Sequence, residues 1–137
     1  IQQFTNKSLF FTSVKYENVV ATQEGQKARE KIVLVTGIAH SQKFKEYLIE
    51  ADFNIVKHFD FADHHDFTLK EIEEIEKIAK IENADIMTTE KDWVRLISML
   101  EVPSTFKSKL FYIPIMVQFL EDENSFHQIL EDSIIRA

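Results

Sequence analysis

The sequence predicts an α/β three-layer sandwich, built on a mostly parallel sheet of about four strands and preceded by a short β linker. Three observations carry that prediction. Ile32-Val33-Leu34-Val35-Thr36 is a continuous apolar run closed by Gly37, the pattern of a strand buried on both faces and followed by a turn. Thr68-Leu69-Lys70-Glu71 has the form of a capping box; the helix it opens carries Leu69, Ile72, Ile75 and Ile78 or Ala79 on one side and a dense Glu/Lys face on the other. From residue 32 onward such apolar runs and amphipathic stretches alternate, which implies parallel strands joined by right-handed crossovers.

In chain order, Ser8 to Tyr16 is aromatic, β-branched and partly alternating, and reads as a strand. Residues 21–31 combine charges with one of only two glycines and read as a linker. A domain boundary is therefore expected near residues 22–30, with residues 1–30 forming the end of a preceding domain and a β linker, and residues 31–137 a carboxyl-terminal α/β domain. A helix is predicted from Ser41 through Phe44, Tyr47, Leu48 and Ala51, then a second strand over 53–61. After the capped helix, a strand is expected over Ala84–Thr88. The helix beginning at Thr89 is expected to turn Trp93, Leu96, Ile97 and Leu100 inward and to end near Pro103. Leu110 to Ile115 reads as a fourth strand, and Ser125 to Ile135 as a last helix.

Composition narrows the function classes. With 45% apolar residues and twelve Phe, the 137-residue chain has the material for one packed core. A net charge of −7 with scattered Lys and Arg argues against non-specific nucleic-acid binding. The absence of Cys removes disulfides, thiolate metal sites and cysteine nucleophiles, and fits a reducing compartment. No apolar run approaches the ~20 residues of a membrane span, and no basic-then-apolar leader is present. The chain starts at Ile1 and reads as a fragment of something longer.

Ligands of parallel sheets meet the loops at the carboxyl ends of the strands. Three loops qualify: Gly37-Ile38-Ala39-His40, Asp63-His64-His65, and Thr88-Thr89-Glu90-Lys91-Asp92. The second concentrates the chemistry. On one reading Asp66 or Thr68 caps the helix and the histidines are solvated. On another, His58, His64 and His65 with Asp60 and Asp63 hold a divalent metal, although their spacing fits no standard zinc pattern. On a third, an Asp-His pair orients or supplies a general base. Gly37 reads as a turn, because no glycine-rich phosphate motif exists anywhere in the chain. Thr89 to Asp92 reads either as a helix start or as hydroxyls and a lysine reaching a phosphorylated ligand. Trp93 and the phenylalanines read as core rather than as stacking platforms.

Val35-Thr36-Gly37-Ile38-Ala39-His40-Ser41-Gln42-Lys43-Phe44, then Asp63-His64-His65-Asp66-Phe67, then Met87-Thr88-Thr89-Glu90-Lys91-Asp92-Trp93-Val94-Arg95-Leu96, in this order, resemble the carboxyl-terminal part of the tetraacyldisaccharide 4′-kinases, the lipid A 4′-kinases. The resemblance implies a two-domain enzyme in which an amino-terminal P-loop domain, absent from this chain, binds ATP and Mg²⁺. It implies transfer of a phosphoryl group to the 4′-hydroxyl of a tetraacyldisaccharide 1-phosphate at the cytoplasmic face of the bacterial inner membrane. The family's catalytic Asp-His pair matches Asp63 and His64. His65, Thr89, Glu90, Lys91 and Asp92 are then expected to shape the substrate cleft. Neither cofactor nor metal is expected on this part, which alone is expected to be inactive, and membrane contact is expected to belong to the other half. One departure is Ser41, where the family often has Pro. The alternative is a non-catalytic Rossmann-like or receiver-like binding module.

Overall fold

A computed structural model describes residues 12–119, with side chains described over 15–116. The expected helix at 125–135 and the start of the strand at 8–16 lie outside the described residues. The chain divides into two units: residues 18–114, and the flanking segments, of which residues 12–17 and 115–119 are described. In the flanking unit, β1 (Thr12–Tyr16) pairs antiparallel with β7 (Ile115–Phe119), from Thr12 opposite Phe119 to Tyr16 opposite Ile115.

The larger unit holds a five-stranded sheet. Its members are β2 (Val20–Ala21), β3 (Lys31–Thr36), β4 (Asn54–Asp60), β5 (Asp85–Thr89) and β6 (Leu110–Ile113), in the order β2-β6-β5-β3-β4. β3 pairs parallel with β4 and β5, and β5 pairs parallel with β6; only β2 runs antiparallel, along β6. The apolar run at 32–35 forms an interior strand, flanked by β4 and β5, and is fully buried, as the lack of alternation required. Val20–Ala21, in the neighbourhood of the expected linker, is thus an edge strand, and Thr22 Oγ1 fastens it by donating to Leu110 O at 2.7 Å.

The chain moves from β3 outward to β4 through α1 (Ser41–Glu50), then back across β3 to β5 through α2 (Leu69–Glu82). Right-handed crossovers taken in opposite directions place α1 and α2 on opposite faces. Side-chain packing agrees with this: Val33, Val35 and Ile86 share one core cluster with Ile72, Ile75 and Ala79 of α2 and with Leu96 of α3 (Glu90–Ile97). Ile32, Leu34 and Met87 alternate to the other face, where α1 supplies the buried Phe44 and Leu48.

α2 begins as its sequence dictates. Glu71 N donates to Thr68 Oγ1 at 3.1 Å and Thr68 N donates to Glu71 Oε1 at 2.9 Å, a complete capping box. Asn83 closes the helix in the left-handed conformation. Two expectations are corrected and one element is added. α3 stops at Ile97, so Leu100 falls beyond the helix and is 85% exposed rather than inward. Pro114 follows β6, and Ile115 begins β7 instead of ending the fourth strand. A short helix, α4 (Ser104–Ser108), was not expected and buries Phe106. Trp93 does join the core: its ring stacks on Tyr112 at 4.3 Å and its indole N–H donates to Thr22 Oγ1 at 2.8 Å.

Candidate functional site

β3 and β5 are neighbours whose carboxyl ends feed α1 and α3, and their onward connections run to opposite edges of the sheet. Such a divergence opens a crevice at the strand ends, the usual ligand position in open α/β sheets. Apart from Asp85, the buried polar residues among the described ones gather at this edge: Thr36, Ser41, Thr88, Thr89 and Asp92.

Asp92 is fully buried, and its carboxylate is held from several sides. Oδ2 accepts from Gly37 N at 2.8 Å and from Thr89 Oγ1 at 2.9 Å, and Oδ1 accepts from Arg95 Nη1 at 3.3 Å. Its own amide donates to Thr89 Oγ1 at 3.1 Å, which makes Thr89 the N-cap of α3. Gly37 keeps this approach uncrowded. Its backbone lies outside the left-handed region, but a Cβ would sit 3.2 Å from Asp92 Oδ1 and 3.5 Å from Ala62 O. The reading of Gly37 as a turn therefore gives way to one of close approach. Of the Thr-Glu-Lys-Asp stretch, Thr89 and Asp92 build the frame, and Glu90 and Lys91 are exposed.

The loop after β4 is tied to the same point. Phe61 N donates to Thr36 O at 2.7 Å, His64 N to Gly37 O at 3.1 Å, and His65 N to Ala62 O at 3.1 Å. This makes a tight turn with His64 left-handed at φ 64, a position that ordinarily takes Gly or Asn. Holding a histidine there costs about 1–2 kcal/mol, and strain of this kind gathers at functional sites.

The turn separates the two imidazoles. His64 is 70% exposed, with Nε2 3.5 Å from Asp63 Oδ2 and Nδ1 3.0 Å from Arg95 Nη2. His65 turns to the scaffold: it stacks on Phe61 at 4.3 Å, meets Phe67 edge-on at 5.3 Å, and its Nε2 contacts Glu71 Oε1 at 2.9 Å. Burial pushes the Glu71 carboxyl up, but hydrogen bonds from His65 and the Thr68 amide outweigh it and leave Glu71 below its ordinary value. Thr68, not Asp66, supplies the helix cap.

A second cluster lies on the far side of β3. Thr36 Oγ1 donates to Asp60 Oδ1 at 2.8 Å, so the 2.8 Å contact with His58 Nε2 has the imidazole as donor. Ser41 Oγ also donates to Asp60 Oδ1, at 2.9 Å. Burial, opposed by Asp60 and reinforced by Lys45, holds His58 below its ordinary value. Burial raises the Asp60 carboxyl, but the Thr36 and Ser41 hydrogen bonds, with His58 and Lys45, outweigh it and leave the group below its ordinary value. This network ties the start of α1 to β4.

The sequence-predicted residues thus separate. Asp63 and His64 project at the rim, while His65, Thr89 and Asp92 are built into the frame beneath. Arg95 was missed; by helical period it is one more cation on a solvated face, and only the folded chain carries it to His64. Among the described residues, no group of three or more His, Cys, Asp or Glu is arranged to hold a metal ion. The Gly37 amide and the space beside it are taken by Asp92, so that amide is not free to hold a phosphate. No described helix is long and apolar enough to cross a membrane.

Comparison with known proteins gives one consistent result. The family model for Tetraacyldisaccharide-1-P 4′-kinase matches residues 2–135. Proteins named tetraacyldisaccharide 4′-kinase are 31% identical over 134 residues in Cytophaga hutchinsonii, covering 93% of this chain and 37% of the relative, and 33% identical over 135 residues in Phocaeicola vulgatus, covering 90% and 36%. The chain therefore spans little more than a third of the length of these relatives. A crystal structure of LpxK from Aquifex aeolicus, described as an "apo" form in complex with ATP, aligns over 96% of this chain and 40% of its own, with 16% identity and a TM-score of 0.48.

Proposed function

Because the chain belongs to the tetraacyldisaccharide-1-P 4′-kinase family, we propose that it forms the carboxyl-terminal part of an enzyme that phosphorylates the 4′-hydroxyl of a tetraacyldisaccharide 1-phosphate in lipid A biosynthesis. The observation that carries this reading is the family match across residues 2–135. In this reading ATP and Mg²⁺ belong to an amino-terminal P-loop domain, where they supply the phosphoryl group and neutralise its charge. The sheet-bearing unit is the domain that faces that site, and the residues before it lead out of the P-loop domain. The enzyme works at the cytoplasmic face of the inner membrane, and its membrane contacts lie in the other part.

The role of this chain is positional. Phosphoryl transfer depends chiefly on alignment and charge neutralisation. His64, strained, exposed and flanked by Asp63, is the group placed to orient or deprotonate the attacking hydroxyl. Glu90 and Lys91 are exposed on the adjoining helix start and flank the incoming substrate. His65, Thr89 and Asp92 shape the cleft from below by fixing the loop and the start of α3.

In the full-length enzyme, His64→Ala should lower kcat by about 10²–10⁴-fold, measured as transfer of labelled γ-phosphate to the disaccharide. His65→Ala should act mainly on stability and lower kcat much less. Equal effects, or none from His64→Ala, would remove His64 from the reaction. Turnover by this chain alone would refute the division of labour.

A further inference from the structure

The two nitrogens of His64 meet different partners. A guanidinium offers only donors, so Nδ1, 3.0 Å from Arg95 Nη2, is the acceptor, and the neutral ring carries its hydrogen on Nε2. That hydrogen stays available, because Asp63 Oδ2 at 3.5 Å lies beyond ordinary hydrogen-bond length.

Arg95 is itself fixed. Nη1 donates to Gly37 O at 3.2 Å and to Asp92 Oδ1 at 3.3 Å. Gly37 O also accepts the His64 amide at 3.1 Å, so guanidinium and histidine backbone bracket one carbonyl. One arm of the planar fork is bound to the frame and the other to the ring.

We infer that Arg95, anchored on Asp92 and Gly37, is a positioning residue that sets the tautomer and direction of the His64 imidazole and presents Nε2–H outward. The inference rests on the proposed kinase reading for its functional meaning, though not for its geometry. In this state His64 is a hydrogen-bond donor at the rim. It donates to the oxygen of the substrate hydroxyl and aligns it, which narrows the orient-or-deprotonate role of His64 to orienting. A lysine cannot replace the fork: a single ammonium satisfies Asp92 and the carbonyl but does not span to the ring as well.

The test separates framework from positioning. In the full-length enzyme, Arg95→Lys should leave cooperative unfolding intact and lower kcat roughly 10²-fold, the scale of a misplaced catalytic group, with a much smaller change in KM. Arg95→Met, which removes all three donated bonds, should lower stability as well. In a His64→Gln background, Arg95→Lys should cause no further loss, since the two act as one unit. On this chain, nitrogen-15 NMR of the histidine side chains should show the His64 nitrogens shifting in Arg95→Lys while those of His58 and His65 hold. Additive losses in the double variant, or His64 nitrogens that ignore Arg95→Lys, would overturn the inference. If His64→Gln alone spares kcat, the kinase role of His64 fails instead, and the NMR result still decides whether Arg95 fixes the ring.

Discussion

Replacing Asp92 by Asn changes one atom in the best-connected side chain of the carboxyl edge. The carboxylate takes Gly37 N and Thr89 Oγ1 on Oδ2 and Arg95 Nη1 on Oδ1, at 2.8, 2.9 and 3.3 Å, with no exposed surface. An amide has one acceptor oxygen. If that oxygen keeps Gly37 and Thr89, the NH₂ group faces the guanidinium, donor against donor, without water to relieve it. Losing a bond to a charged group at a buried site costs about 1.5–3 kcal/mol, and the two remaining bonds weaken because the acceptor is no longer ionised. The expected loss is about 2–4 kcal/mol, a large part of the ~5–15 kcal/mol that holds an ordinary domain together. For a domain of about 100 residues it lowers Tm by roughly 10–20 °C. Urea unfolding followed by circular dichroism measures it directly. Thr89→Ala removes the cap of α3 and should cost ~0.5–2 kcal/mol, and the double variant should lose less than the sum because the two side chains share a bond. Asp92→Asn within ~0.5 kcal/mol of the parent, the usual spread for surface changes, would refute the idea that the carboxylate organises this edge.

Two further outcomes follow from the same geometry. Gly37→Ala should destabilise by about 1–2 kcal/mol, the strain of crowding a pinned carboxylate less the ~0.4–1 kcal/mol gained by stiffening the unfolded chain; a rise in Tm would show that Asp92 yields easily. Because the folded Glu71 carboxyl lies below its ordinary 4.5, the unfolded state binds more protons as acid is added. The stability that parent holds over Glu71→Gln should accordingly be full above about pH 4.5 and disappear as pH falls through the lower folded value, read from unfolding curves across that range. A difference that persists unchanged into acid would exclude the His65–Glu71–Thr68 network as its source.

Local signals were legible, and contacts between distant segments were not. The Thr68-to-Glu71 box and the 32–36 run needed only neighbours in sequence, and both formed where their chemistry directed. Leu100 continues the helical period arithmetically, but Ser98 turns its hydroxyl back to Val94 O at 2.6 Å and the helix ends beneath it. β2 is two residues long and exists only because Phe111 and Tyr112 offer it an edge, a pairing no local pattern encodes. At the site, the exposed Asp-His pair was visible as composition on a loop. The arginine that holds it was invisible, because two of its three partners lie 31 and 58 residues away in sequence.

The carboxylate lodged against Gly37 has a wider consequence. Folds of this architecture ordinarily leave their switch-point crevice open, lined with backbone amides that attract anions. Here an internal anion already occupies the Gly37 amide, and its charge opposes a second anion at that point. The domain is stoppered at that point by its own side chain. It presents a finished lip instead of a socket, and what chemistry it lends must be lent by the few groups that overhang that lip.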